Sequence, residues 1–147
     1  MTLSSEQPYG AAAAAIIAQR SEAMFAQREG VLDMTDIERV HRMRVATRRL
    51  RAALEVFGPA LHGKRGKRAL AEVKALADAL GERRDRDVQL ERVERLAAHT
   101  TGAEHRAVEL LAQDLRGEQR HANRILHEAL RHAKRSRLRR RLERLSR

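Results

Sequence analysis

Apolar residues recur at helical spacing along most of the chain, and no segment shows the period-two alternation of a strand. The first pattern predicts a helix from about Tyr9 to Arg28. A second helix begins after Asp33 or Asp36, either of which is a suitable N-cap, and ends at the Gly58-Pro59 pair.

Further apolar patterns follow that pair. A third helix is predicted from about Lys64 to Leu80, with its end at Gly81, and a fourth continues to about Arg95. A long pattern starts at Ala103 and contains Gly117, which either kinks the helix or splits it. The sequence therefore predicts an all-α fold, an antiparallel bundle of about five to six helices.

The last segment continues the helical spacing. Leu138, Leu142 and Leu145 fall on one face of a basic C-terminal helix over residues 134–147, which follows a predicted bundle core over residues 9–133. With 147 residues, the chain is long enough for one compact domain and too short for two ordinary ones. We therefore expect a single helical domain over residues 1–147.

Composition narrows the class of protein. Cysteine is absent, so disulfides and thiolate metal sites are excluded. Residues 1–8 carry no basic residue of a leader sequence, and the apolar run over residues 11–18 is shorter than the roughly 20 residues of a membrane span. We therefore expect a cytoplasmic protein without a membrane span.

Positive charge is concentrated in two parts of the chain. The net charge is +11, and residues 37–87 contain 14 basic and 7 acidic residues. Residues 131–147 contain nine basic residues and one acidic residue. Two basic blocks in a nearly neutral scaffold indicate a polyanionic partner.

The first basic block has a helical order. At about 100° per residue, four side chains fall within about 80° of one another and outside the apolar arc: His41, Arg44, Arg48 and Arg51. Glu55 is the next residue along this face and is placed to pair with Arg51. The third predicted helix carries its own cationic face, made of Lys64, Lys67, Arg68 and Lys74. If the two helices are antiparallel neighbours, both faces line one groove.

A solvated helix surface is the simpler interpretation of any one of these arginines. A row of like charges, however, destabilises an isolated helix by about 0.2–0.5 kcal/mol per pair. Two such rows on adjacent helices therefore favour a bound anion over a merely solvated surface.

Two segments resemble the CHAD domain, the conserved histidine α-helical domain: DIERVHRMRVATRRLRAALEVF and LADALGERRDRDV. The likeness extends from about Tyr9 to the end of the chain. It implies a helical bundle that binds inorganic polyphosphate in a basic groove, without catalysis and without a cofactor. By this resemblance the polyphosphate-binding residues are His41, Arg44, Arg48, Arg49, Arg51, Lys64, Lys67, Arg68, Lys74 and Arg84.

The chain departs from the family pattern in two ways. Arg86 lies between Asp85 and Asp87, where the family often has an apolar residue, which indicates a more exposed helix. The family usually contains two related helical halves, and this chain has room for one. A homodimer would restore the second half. The resemblance also implies a location at polyphosphate granules.

Other interpretations remain open or are excluded by the residues. Non-specific binding of RNA or DNA through the same basic faces and the C-terminal segment is the main alternative, although no aromatic residue lies in the basic row to stack on bases.

Single residues also allow more than one interpretation. His41 either binds phosphate or holds the helix through a carbonyl or carboxylate. Asp85 and Asp87 are interpreted as structural residues that cap the fourth helix or clamp arginines. His127 and His132 are five residues apart and do not share a helix face, so no metal site is predicted. We therefore expect a binding protein and not an enzyme.

Overall fold

The computed structural model describes residues 8–147, and of residues 59–62 it describes only the backbone. Four helical elements follow one another: α1 (Tyr9–Ala26), α2 (Ile37–Ala97), α3 (Gly102–Arg135) and α4 (Leu138–Leu145). No strand occurs within residues 8–147, so the predicted all-α fold is confirmed. The prediction that the first residues are not a leader sequence concerns residues 1–8, nearly all of which lie outside the described residues.

Helix α2 folds back on itself near residues 58–66. A Cβ atom at Gly66 would lie 2.9 Å from the carbonyl oxygen of Gly58, whereas eight residues of a straight helix span about 12 Å. Ion pairs cross between the two parts of α2, from Lys74 to Glu55 (Nζ–Oε1, 3.9 Å) and from Arg84 to Glu38 (Nη1–Oε1, 3.7 Å). Residues 37–58 therefore form an outgoing arm, and residues 63–97 form a return arm that runs antiparallel to it. The four elements make five rods, in agreement with the predicted bundle.

The two predicted helix ends inside α2 have different outcomes. The chain reverses after Gly58 as predicted, but helical backbone continues through the Gly58-Pro59 pair, and the positive φ of 46° falls at Gly63. The predicted end at Gly81 is wrong. Gly81 lies inside the return arm, and a Cβ atom there would be 4.0 Å from Nε of Arg44, an ordinary van der Waals distance, so the packing of the two arms does not require glycine at this position.

The main core draws apolar side chains from all four helices. Ile17 and Met24 of α1, Leu50 of the outgoing arm and Leu76 of the return arm are buried in it. Its members from the two C-terminal helices are Leu126, Leu138, Leu142 and Leu145. The α4 leucines thus close the bundle, and the face that they share by their spacing is the buried one.

Salt bridges fasten α4 to two other helices. Arg141 pairs with Glu72 of the return arm (Nη1–Oε1, 3.0 Å), and Arg139 pairs with Glu22 of α1 (Nη2–Oε2, 3.0 Å). Part of the positive charge of the C-terminal segment is therefore used structurally.

The segment between α1 and α2 is held by local hydrogen bonds. Asp33 accepts bonds from the backbone nitrogen of Thr35 (2.9 Å) and from its hydroxyl (2.7 Å), and Asp36 accepts one from Nε of Arg39 (3.1 Å). Asp36 occupies the N-cap position of α2 but makes no capping hydrogen bond. The predicted N-cap position at Asp36 is therefore confirmed and that at Asp33 is wrong, and the Asp36 carboxylate bonds to Arg39 instead of to the first backbone nitrogens of the helix.

Helix α3 runs unbroken through Gly117, so this glycine does not split it. The beginning of α3 packs against the end of α2 in a second, small core made of Leu90, Ala112 and Leu115. This end of the molecule leaves Leu110 and Leu111 exposed. None of the helices within residues 8–147 is long and apolar enough to cross a membrane.

Candidate functional site

The basic residues of the outgoing arm lie in two grooves, one on each side of that arm. The groove between the two arms of α2, which we call the arm groove, has a volume of about 360 Å³. Arg44, Arg48 and Arg51 line it from the outgoing arm. The sequence-predicted row of arginines thus does reach one common cleft.

The opposite wall of the arm groove is acidic. The return arm contributes Asp78, Glu82 and Asp85 to the lining, and no lysine. These carboxylates lower the electrostatic potential that the three arginines would otherwise create. The sequence predicted a single groove lined by cations from both helices. That prediction is wrong, because the return arm turns a carboxylate face toward the arginines.

One further carboxylate links the arms beside this groove. Glu55 accepts a hydrogen bond from Nε of Arg51 (3.0 Å) and also lies 3.9 Å from Nζ of Lys74. The predicted pairing of Arg51 with Glu55 is confirmed. Arg51 and Lys74 are brought together, but they share a carboxylate and are less available to an anion.

The second groove lies between α1 and the outgoing arm, and we call it the α1 groove. Its volume is about 370 Å³, and its polar lining consists of Arg20 and Gln27 from α1 and His41, Arg42 and Arg49 from α2. No carboxylate lines it. None of its three arginines forms an ion pair with another residue of the described chain. The arrangement is suited to an anion.

His41 is half-buried in the α1 groove, and its Nδ1 atom is buried without a hydrogen-bond partner among the described residues. A buried polar atom without a partner costs about 1–3 kcal/mol. The alternative role of His41, a bond from this nitrogen to a carbonyl or carboxylate, is therefore not what the structure shows.

The remaining predicted residues lie outside both grooves. Lys64, Lys67 and Arg68 are exposed near the reversal of α2. Arg84 is 19% exposed and faces Glu38 at the start of the outgoing arm, with its Nη1 atom buried and lacking a hydrogen bond. The site predicted from the sequence is thus spatially divided, and the role of these four residues in phosphate binding stays a prediction.

Two arginines of the α1 groove did not follow from the sequence pattern. Arg42 lies about 100° from His41 around the helix and about 20° from Arg49, so it shares the side that faces α1. Arg20 comes from α1 itself and Gln27 directly follows that helix, and with Ala23 they lie at helical spacing on the side that faces the outgoing arm. This spacing was the sequence signal for the second wall of the groove.

A buried polar network behind the grooves joins α2, α3 and the segment between α1 and α2. Arg83 donates from Nε to Asp87 (2.9 Å) and from Nη1 to Asn123, while Gln119 donates to the same Asp87 oxygen (2.8 Å). Asn123 in turn donates to the carbonyl of Leu32 (3.2 Å). The interpretation of Asp87 as a clamp for an arginine is confirmed, and capping of a helix by Asp85 or Asp87 is wrong, since both lie inside α2.

Arg86, between those two aspartates, lies near the surface and holds the return arm to α3. It contacts Glu118 (Nε–Oε2, 3.2 Å) and Glu82 (Nη2–Oε2, 3.7 Å), and its side chain is 30% exposed. The expectation of a more exposed position here agrees with this placement.

Within the described residues, no group of three or more histidines and carboxylates is placed to hold a metal ion.

The helical bundle and its basic grooves agree with one family comparison. The family model described as CHAD domain matches residues 15–147. The chain belongs to the CHAD domain family. No curated protein and no solved structure matches it. CHAD domains are associated with polyphosphate-related proteins. The two grooves of this CHAD domain are therefore the surfaces to test for binding of phosphate.

Proposed function

We propose that this CHAD domain binds inorganic polyphosphate in the α1 groove, without catalysing a reaction on it. The observation that carries this proposal is the lining of that groove, in which Arg20, Arg42, Arg49 and His41 meet no carboxylate. The association of the family with polyphosphate-related proteins also supports it.

The chemistry of the groove fits a polymer of phosphate units. Each guanidinium donates two parallel hydrogen bonds to a pair of phosphate oxygens. Arg42 and Arg49 are seven residues apart on the same helix, a separation of about 10.5 Å along its axis, so they can hold successive parts of one chain. Such a row of arginines recognises phosphate oxygens alone, which are the only hydrogen-bonding groups of the polymer.

The arm groove is the secondary contact of this proposal. Arg48 is exposed on the outer surface of the outgoing arm, close to the side on which His41 lies. A flexible polymer bound in the α1 groove can therefore cross this surface and reach Arg44. The carboxylates Asp78, Glu82 and Asp85 oppose that contact, so we expect it to contribute less free energy of binding.

The same lining supports the proposal of binding without catalysis. Hydrolysis or transfer of a phosphoryl group generally needs a metal ion held by carboxylates or a side chain placed as a base. The α1 groove offers arginines, one histidine, Gln27 and small apolar residues, and none of these is a carboxylate. We accordingly propose a receptor for the polymer, at sites where polyphosphate accumulates as granules.

A homodimer is a further part of the proposal. It would supply the second helical half that the family usually contains, and the exposed Leu110 (64% exposed) and Leu111 (49%) at the end of the α2–α3 pair offer apolar surface for it. Sedimentation equilibrium at micromolar concentration tests this, with a dimer expected, and a strictly monomeric species would contradict it.

The binding proposal is tested with a matched pair of double variants. Arg42→Ala with Arg49→Ala removes two cations of the α1 groove, and Arg92→Ala with Arg106→Ala removes two exposed arginines that line neither groove. We measure binding of fluorescently labelled long-chain polyphosphate by anisotropy. Because charged hydrogen bonds contribute about 1.5–3 kcal/mol each, the first variant should lose at least about 100-fold in affinity and the control severalfold at most. Equal losses in both variants would contradict a specific groove.

A further inference from the structure

A third basic cleft lies on the other side of α1, where the ends of α1 and α3 meet α4. This cleft, the α4 cleft, has a volume of about 320 Å³. Its floor is apolar and its rim carries five cationic side chains: Arg28, Lys134, Arg137, Arg139 and Arg140. No carboxylate lines it, which distinguishes it from the arm groove.

Four of the five cations are free to meet an anion. Arg139 is occupied, since its Nη2 atom donates to both carboxylate oxygens of Glu22 at 3.0 and 3.1 Å. Arg28, Lys134, Arg137 and Arg140 form no ion pair with another residue of the described chain. A neighbouring depression of about 270 Å³ shares Arg28 and Lys134 and extends the cationic surface along α3 to His127 and Arg131.

The backbone holds one of these cations in an unfavourable conformation. Arg137 has φ 57° and ψ 42°, the left-handed region that a residue with a side chain rarely adopts, at the N-cap of α4. Glycine would satisfy this turn with less strain. An arginine at this position, in the lining of a cleft without carboxylates, indicates that its positive charge serves to bind an anion.

Helix α1 separates this cleft from the α1 groove. Arg20 and Gln27 line the α1 groove, whereas Phe25 and Arg28 line the α4 cleft. At about 100° per residue, Phe25 lies about 160° around the helix from Gln27, so the two linings are on nearly opposite sides of α1. A short phosphate chain bound in one therefore leaves the other open.

We propose that the α4 cleft is a second, independent binding site for a phosphate chain, so that one molecule of this protein holds two polyphosphate chains and crosslinks the polymer. This inference rests on the proposed function, because it assigns the same ligand to a second surface. Its consequence is condensation of long polyphosphate, since each protein molecule joins two chains.

The aromatic residue of the cleft favours polyphosphate over a nucleic acid. Single-stranded RNA gains much of its affinity by stacking bases on open aromatic rings. Phe25 is the aromatic residue in the lining, and the Arg139 guanidinium already lies over its ring, 5.4 Å from the centroid. Glu22 holds that guanidinium in place. The cleft thus has cations that can bind phosphate, but its aromatic ring is covered and is not available to stack on a base.

The test is the stoichiometry of tripolyphosphate binding per chain, measured by isothermal titration calorimetry. Arg137→Gly with Arg140→Ala removes two rim cations, and glycine suits the left-handed backbone at position 137, so folding is retained. Arg144→Ala with Arg147→Ala is the control, because it removes two exposed arginines outside the cleft. Thermal melts of both variants confirm that they fold.

We expect two sites in the parent protein, two in the control, and one in the Arg137→Gly/Arg140→Ala variant. The Arg42→Ala/Arg49→Ala variant should also keep one site. With long-chain polyphosphate, the parent and the control should produce turbidity at a lower protein concentration than either double variant in the grooves, because each copy of the chain then holds two sites instead of one. Both single-site variants should still bind the polymer.

Three results would overturn the inference in distinguishable ways. One site in the parent that is lost with Arg42 and Arg49 would refute the α4 cleft and leave the proposed function standing. One site that is lost with Arg137 and Arg140 would refute the proposed α1 groove and leave the cleft as the binding site. Displacement of tripolyphosphate from the cleft by single-stranded RNA at equal phosphate concentration would refute the ligand assigned to it.

Discussion

Arg83 and Asp87 form an ion pair that is fully buried, with Nε of the arginine 2.9 Å from Oδ1 of the aspartate and neither side chain exposed. Gln119 and Asn123 of α3 add hydrogen bonds to the pair, which thus connects the return arm to the next helix, while Nη2 of Arg83 and Oδ2 of Asp87 are buried without a hydrogen-bond partner among the described residues. Charge inside a bundle is tolerated only when it is paired and hydrogen-bonded. The pair therefore specifies how α2 and α3 dock, and with them the walls of the grooves.

Removing one member of this pair should destabilise the fold strongly. Asp87→Ala leaves the Arg83 guanidinium buried without its carboxylate, and we expect a loss of about 3–5 kcal/mol in the free energy of unfolding. Asp85→Ala, two residues away and exposed, should change it by less than about 0.5 kcal/mol. Urea denaturation followed by circular dichroism measures both. Similar midpoints for the two variants would show that the buried pair does not hold the helices together.

The acidic wall of the arm groove should weaken the binding of phosphate chains. Asp78→Asn with Asp85→Asn removes two charges that face the arginines of the outgoing arm. Since an exposed charge pair contributes about 0.2–1 kcal/mol and two charges are removed, polyphosphate affinity should rise about twofold to thirtyfold. Glu104→Gln with Asp114→Asn is the control, because these exposed acids lie outside that groove. An affinity unchanged relative to this control would mean that the polymer does not enter the arm groove.

The C-terminal helix should be required for stability. Leu142 is fully buried in the main core, so Leu142→Ala should cost about 2–5 kcal/mol in thermal or chemical unfolding. Leu111→Ala is the matched control, because that side chain is 49% exposed, and it should cost less than about 0.5 kcal/mol. A tail that serves only as a basic arm would give no difference between the two.

The segment between α1 and α2 should respond to acid through Asp33. The Thr35 hydroxyl, and then the Thr35 backbone nitrogen, donate hydrogen bonds that hold the pKa of Asp33 below its usual value. Because the pKa is lowered in the folded state, the stabilisation is complete above the usual aspartate pKa and is lost as the pH falls through the lowered value. Thr35→Ala should raise the pKa in a carbon-13 NMR titration, whereas Thr101→Ala should not. An unchanged Asp33 titration in Thr35→Ala would refute the role of the hydroxyl.

The features that were predictable from the sequence are those that depend on one helix at a time. Leu138, Leu142 and Leu145 share a face because of helical periodicity, and that face is the buried one. The reversal after Gly58 was predictable because glycine and proline interrupt helices. The predicted helix end at Gly81 was wrong because a single glycine is tolerated inside a helix that is packed against its neighbours.

The features that were not predictable depend on which helices become neighbours. Arg83 sits in a run of charged residues that looks solvated, and its burial follows from the docking of α3 with Gln119 and Asn123. The row from His41 to Arg51 divides between two grooves because α1 packs on one side of the outgoing arm and the return arm on the other. Periodicity places side chains around one helix, but it does not state which neighbour brings carboxylates and which brings arginines.

Competition between polyphosphate and single-stranded RNA tests the central claim most directly. Labelled long-chain polyphosphate is bound to the protein and RNA is added at equal phosphate concentration, at a low and a high salt concentration. A groove that fits the polymer retains polyphosphate at both salt concentrations, because the hydrogen-bonded contacts are less screened than loose surface charge. Displacement of polyphosphate by RNA, with both affinities falling together as salt rises, would show that the arginines act only as diffuse positive charge and would contradict the account.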